Sequence, residues 1–95
     1  GDVDPGLLNE PAEKKLFESY LAIRGPVSQR IENKEFSQAL EQIVGIKPAV
    51  DDFFDKVMVM VEDVSLRTNR LHLLYQVSGL FSELADFSRI ILKKG

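Results

Sequence analysis

Three side chains able to grip an anion or a polar edge, Arg67, Asn69 and Arg70, stand inside the leucine-rich run VEDVSLRTNRLHLL, residues 61–74. An asparagine amide offers both a donor and an acceptor, and a guanidinium forks onto a phosphate, a carboxylate or a guanine edge. Set at roughly 100° per residue on a helix, Leu66, Leu73, Val77, Leu80, Phe81 and Leu84 share one side, with Arg70 in their midst. Leu71 and Leu74 join the packing of the same helix. Arg67 falls at one edge of the stripe near Leu74, and Asn69 at the opposite edge. An arginine among apolar side chains is unfavourable unless a carboxylate neutralises it. Asp55, Asp63 and Asp86 are the candidates for that carboxylate, with Asp63 carried as the working partner. Arg70 therefore reads as a structural anchor, and Arg67 and Asn69 as candidate contacts.

Other chemistry finds little support. The chain of 95 residues has one histidine, His72, and no cysteine, so thiolate chemistry and zinc-ligand spacing do not occur. His72 projects to the polar side of the last helix, as a solvated surface group. The six glycines are scattered and form no phosphate-cradling loop. The acid pairs Asp51-Asp52 and Glu62-Asp63 fall at helix ends, where capping and the helix dipole account for them. No catalytic residue and no metal ligand is expected. The lack of cysteine fits a reducing cytosol, and a cytoplasmic location is expected. The net charge of −3 argues against attraction to nucleic acid over the whole surface, though not against a local basic face.

The elements that must position these groups are helical. GDVDPGLLNE reads as an irregular lead-in over residues 1–9, followed by a helical domain over 10–95. Asn9 suits a cap, followed by Glu10 and Pro11 in the first turn, and Leu16, Phe17, Tyr20, Leu21 and Ile23 recur at helical spacing. Gly25-Pro26 predicts a break, with a short second helix from Pro26 to about Glu32. Asn33 would cap a third helix carrying Phe36, Ala39, Leu40, Ile43 and Val44, ended by Gly45. Pro48 opens a fourth, where Val50, Phe53, Phe54, Val57 and Met58 continue the same periodicity. VMVMV, residues 57–61, reads as its buried end. Asp63 or Ser65 caps the last and longest helix, about residues 65–84. The fold class is all-α, a single bundle of about five helices. Gly1 fits the scar of tag removal, which would make the chain a cut piece of a longer protein.

Taken as one block, FFDKVMVMVEDVSLRTNRLHLL, residues 53–74, resembles the C-terminal domain of the beta subunit of bacterial-type glycyl-tRNA synthetases. The family signature is FFDxVMVMxED followed by LRxNRLxLL, and LFSELADFSRI, residues 80–90, resembles its closing LFxxxADFSxL. PAEKKL and the approach Pro48-Ala49-Val50-Asp51 fit more loosely. His72 and Tyr75 depart from the family pattern, where small or aliphatic residues are commoner.

The resemblance implies a DALR-type, all-helical anticodon-binding module, kin to the domain that ends arginyl-tRNA synthetases. It also implies an alpha2-beta2 enzyme in which the alpha subunit handles ATP and glycine. The chain itself would then need no cofactor, perform no chemistry and hold the anticodon stem-loop of glycine tRNA. Its partners would be that tRNA, the alpha subunit and the rest of beta, with no membrane. Under this reading Arg67 and Asn69 meet the RNA, and Lys56, Arg89, Lys93 and Lys94 stand near phosphates. The Phe53-Phe54 pair belongs to the core, with a stacking platform as the alternative. Two other readings remain: a helical docking module that touches no RNA, and the equivalent tail of an arginyl-tRNA synthetase.

Overall fold

The computed structural model describes residues 2–94, with side chains described for residues 2–86. Among the described residues, a 3-10 turn at Pro5–Leu7 precedes four helices: α1 (Pro11–Glu32), α2 (Phe36–Val44), α3 (Lys47–Lys56) and α4 (Val64–Lys94). The fold is all-α as expected, with four α-helices in place of about five. No helix among the described residues is long and apolar enough to cross a membrane.

The missing helix is explained by α1, which runs through Gly25 and Pro26 without breaking. A proline inside a helix lacks the N–H that would bond the carbonyl four residues back, here that of Ala22. Packing on both sides of Pro26 offsets the loss. Leu16 on the N-terminal side lies in one core cluster with Phe53, Leu73 and Val77. Val27 and Ile31 on the C-terminal side lie in a second, with Ala39, Ile43, Leu80 and Leu84. The helix is thus a spine shared by two cores, and it packs on α2, α3 and α4.

Its ends differ from the expected caps. Glu10, not Asn9, is the N-cap, and the Glu13 carboxylate accepts from the Glu10 N–H at 3.1 Å. At the other end Asn33 closes α1 and does not open α2. Lys34 adopts a left-handed φ of 62°. The N–H groups of Lys34 and Glu35 donate to the carbonyls of Ile31 and Arg30 at 3.0 and 2.8 Å. This is a Schellman closure in which lysine occupies the position usually held by glycine. Gly45 ends α2 and Pro48 lies in the first turn of α3, both as read from the sequence.

The segment VMVMV is not the end of a helix. α3 stops at Lys56, and Val57 is extended, with φ −116° and ψ 124°. Burial alternates along the run: Val57 is buried and Val59 and Val61 half-buried, while Met58 and Met60 are 70% and 67% exposed. β-branched valines at every second position disfavour helix, and the backbone here is extended at Val57 and bent at Val59, Met60 and Glu62. Asp63 then caps α4, its carboxylate accepting from the Leu66 N–H at 3.1 Å. α4 continues well beyond residue 84, to Lys94.

Pro26→Ala restores the absent hydrogen bond at an exposed position. It is expected to stabilise the domain by about 1–3 kcal/mol, read as a higher urea midpoint with an unchanged slope. An unchanged or lower midpoint would show that α1 needs the proline.

A candidate RNA-binding face

The polar residues that interrupt the leucine run of α4 each hold a non-helical stretch of backbone. The Arg70 side chain is 6% exposed and that of Glu13 fully buried, and their Nη2 and Oε1 atoms are 3.0 Å apart. The other arm of Arg70, Nη1, donates to the Met58 carbonyl at 2.6 Å. The carboxylate partner is therefore Glu13 of α1, and not Asp63, Asp55 or Asp86. The Asp63 carboxylate is instead engaged with the first turn of α4. Glu13 Oε1 also accepts from Glu10, so one carboxylate oxygen closes the start of α1 and neutralises α4.

Asn69 does not face solvent. It is 3% exposed, its Oδ1 accepts from the Asp4 N–H at 2.6 Å and its Nδ2 donates to the Asp4 carbonyl at 3.0 Å. Both functions of the amide are satisfied by the lead-in, which leaves no free edge for a base. The reading of Asn69 as an RNA contact is corrected to a structural clasp. The second turn of α4 thereby fixes the N-terminal segment, whose Val3 and Leu8 enter the first core.

Arg67 is half-buried and its Nη1 donates to the Val61 carbonyl at 3.4 Å, leaving most of the guanidinium fork for other partners. Lys56 is exposed, with Nζ 3.0 Å from Asp52. The side chains of Arg89, Lys93 and Lys94 lie outside the described residues. His72 is half-buried, not fully solvated, with Nδ1 3.3 Å from the Asp2 carbonyl.

Several apolar residues assigned to the core stand outside it. Phe53 is fully buried, but Phe54 is 59% exposed, edge-on to Phe53 with ring centroids 5.6 Å apart. Leu71 and Phe81 are each 44% exposed. Phe54, Met58 and Met60 thus crowd three outward apolar side chains into seven consecutive positions. Exposed methionine and phenylalanine offer polarisable surface and a ring face to a flat aromatic partner. Arg67 and Lys56 flank this stretch with positive charge, while Asp55 and Glu62 disfavour phosphate beside them. The sequence did hold a signal for the two methionines, the strict Val-Met alternation, which fits a helix poorly.

The family model for the DALR anticodon binding domain matches residues 1–92. The chain belongs to that family. Among curated proteins it is similar to the glycine–tRNA ligase beta subunit of Myxococcus xanthus, 47% identical over 90 residues. The corresponding subunits of Geotalea daltonii and Acidobacterium capsulatum are 46% and 51% identical over 88 and 90 residues. These matches cover 93–95% of the domain but 13% of each relative, so it spans about an eighth of their length.

Removing either buried clasp should destabilise the domain. Arg70→Ala strands the Glu13 carboxylate in the core and is expected to lower stability by about 3–5 kcal/mol. Asn69→Ala should lower it by about 1–3 kcal/mol and speed hydrogen exchange at the Asp4 amide. Denaturant titration and amide exchange by NMR check both; an Asp4 amide unaffected by Asn69→Ala would contradict the clasp.

Proposed function

We propose that this domain binds the anticodon stem-loop of glycine tRNA as the tRNA-gripping part of a glycine–tRNA ligase beta subunit. The observation that carries the reading is the match of the anticodon-binding family model over residues 1–92. In the parent enzyme, an alpha2-beta2 assembly, the alpha subunit handles ATP and glycine. This domain contributes no catalytic group and takes no cofactor; its part is to place the acceptor end of the tRNA for the other subunit, in the cytoplasm.

The geometry supplies means for single-stranded recognition, which rests on base stacking with cations on the phosphates. Phe54, Met58 and Met60 supply the outward apolar surface, and the free arms of Arg67 reach a phosphate or a base edge. Asn69 takes no part, because Asp4 occupies its amide.

A second reading has its own support. An apolar cleft of about 290 Å³ is lined by Ile43, Val44 and Val50 with Phe81, and the net charge is −3. Both suit docking on the remainder of a beta subunit without RNA contact. Titration of a glycine tRNA anticodon stem-loop by filter binding at several salt concentrations separates the readings. The RNA reading expects affinity that falls as salt rises. It further expects Arg67→Ala to weaken binding about fivefold to tenfold, about 1–1.4 kcal/mol, with a small fall in Tm from the lost bond to the Val61 carbonyl. No binding at low salt would favour docking instead.

A further inference from the structure

A groove between α1 and α4 is built in a way that packing does not explain. Tyr20, Arg24 and Gly25 line it from α1, and Tyr75, Gly79 and Glu83 from α4, around a volume of about 490 Å³. That is within the range of pockets that take small ligands. Both glycines lie inside helices, where glycine is less favourable than alanine. Neither has a positive φ, and a Cβ on either would meet nothing within 4 Å. Gly25 precedes Pro26, whose ring would crowd a Cβ on the residue before it in a helix; no turn or close backbone approach accounts for Gly79. Together the two glycines leave bare backbone on both walls of the groove, beside two aromatic rings.

Of these rings Tyr20 is half-buried and packs against both cores, while Tyr75 is presented for contact. Tyr75 is 75% exposed, although a tyrosine on a helix surface has no packing reason to be there. The Arg24 guanidinium carbon lies 5.9 Å from the centroid of the Tyr20 ring. Arg30, Lys47, Lys56 and Arg70 are each paired with a carboxylate, whereas Arg24 lies over an aromatic face. The groove therefore has a flat aromatic side chain, a cation on its α1 wall and room for a planar ring between the glycines. Glu83, on the α4 wall, repels phosphate there and can accept from an exocyclic amino group.

We infer that this groove receives one unpaired nucleobase of the bound RNA, stacked on Tyr75, with its phosphate on Arg24. The inference rests on the RNA-binding reading and adds a second contact surface to it, apart from the Phe54-Met58-Met60 stretch. A base stacked on one aromatic side chain is a sequence-tolerant contact, so the groove would add affinity and orientation more than base choice.

Binding of this chain to a glycine tRNA anticodon stem-loop, and to the same stem closed as a fully paired duplex, tests it. Gly79→Leu fills the groove with a better helix former, and Tyr75→Ala removes the ring from an exposed position. Both are expected to weaken stem-loop binding about tenfold, in keeping with the loss of one stacked base, without lowering Tm. Tyr75→Phe, which keeps the ring, should bind within about twofold of the parent, since stacking needs the π-face and not the hydroxyl. Weak duplex binding should be equal in all variants. A parent chain that binds the stem-loop while Gly79→Leu and Tyr75→Ala bind it equally well overturns the groove and leaves the RNA reading standing. Equal losses on the duplex also overturn the groove. A parent chain that binds neither RNA overturns both readings.

Discussion

The buried pair of Arg70 and Glu13 is the contact on which the arrangement depends. Removing two charges from water is costly, and the mutual attraction repays it only with good geometry and further hydrogen bonds. Here the further bonds are backbone groups: the Met58 carbonyl for the arginine and the Glu10 N–H for the carboxylate. Among the described residues Arg70 Nε and Glu13 Oε2 have no protein hydrogen-bond partner. The pair joins the start of α1, the segment after α3 and the second turn of α4 at a single point.

Around that point the polar residues of α4 work as a set. Arg67 holds the Val61 carbonyl, Arg70 the Met58 carbonyl, and Asn69 both backbone groups of Asp4. The Met58 and Val61 carbonyls and the Asp4 N–H lie outside any helical ladder, while the Asp4 carbonyl also accepts from Leu7 in the 3-10 turn. The apolar side of α4 builds the core, and these interruptions bind the irregular segments to it. The result is a short non-helical stretch, held at the Met58 and Val61 carbonyls, with its valines turned inward and its methionines exposed.

Much of this was legible in the residues, and the failures have physical causes. Helical spacing found the inward face of α4 at Leu73, Val77, Leu80 and Leu84, and local capping chemistry found Asp63, Gly45 and Pro48. These signals are local, and local signals are what a single chain displays. Arg70 was legible as buried and in need of an acid, but its partner lies 57 positions away. Nothing local distinguishes Glu13 from the other acids until α1 is laid beside α4. Asn69 was misread for the same reason, since its partner is 65 positions distant. Pro26 was read as a breaker because local propensity ignores the two cores that hold both halves of α1. VMVMV was read as helix because an apolar run without an obvious strand partner was assigned by default, against its own alternation. As for the candidate site, charge and amide chemistry pointed to α4, whereas the exposed Phe54, Met58, Met60 and Tyr75 became visible only through burial.

The central claim is that Glu13 and Arg70 act as one unit, and a double-mutant cycle measures that directly. Urea denaturation of the parent chain, Glu13→Ala, Arg70→Ala and the double variant gives the coupling energy. The account predicts a coupling of about 2 kcal/mol or more, within the range for residues in one buried network. The double variant would then lose about 2 kcal/mol less than the sum of the two single losses. Losses that simply add, with coupling within about 0.5 kcal/mol, would contradict it.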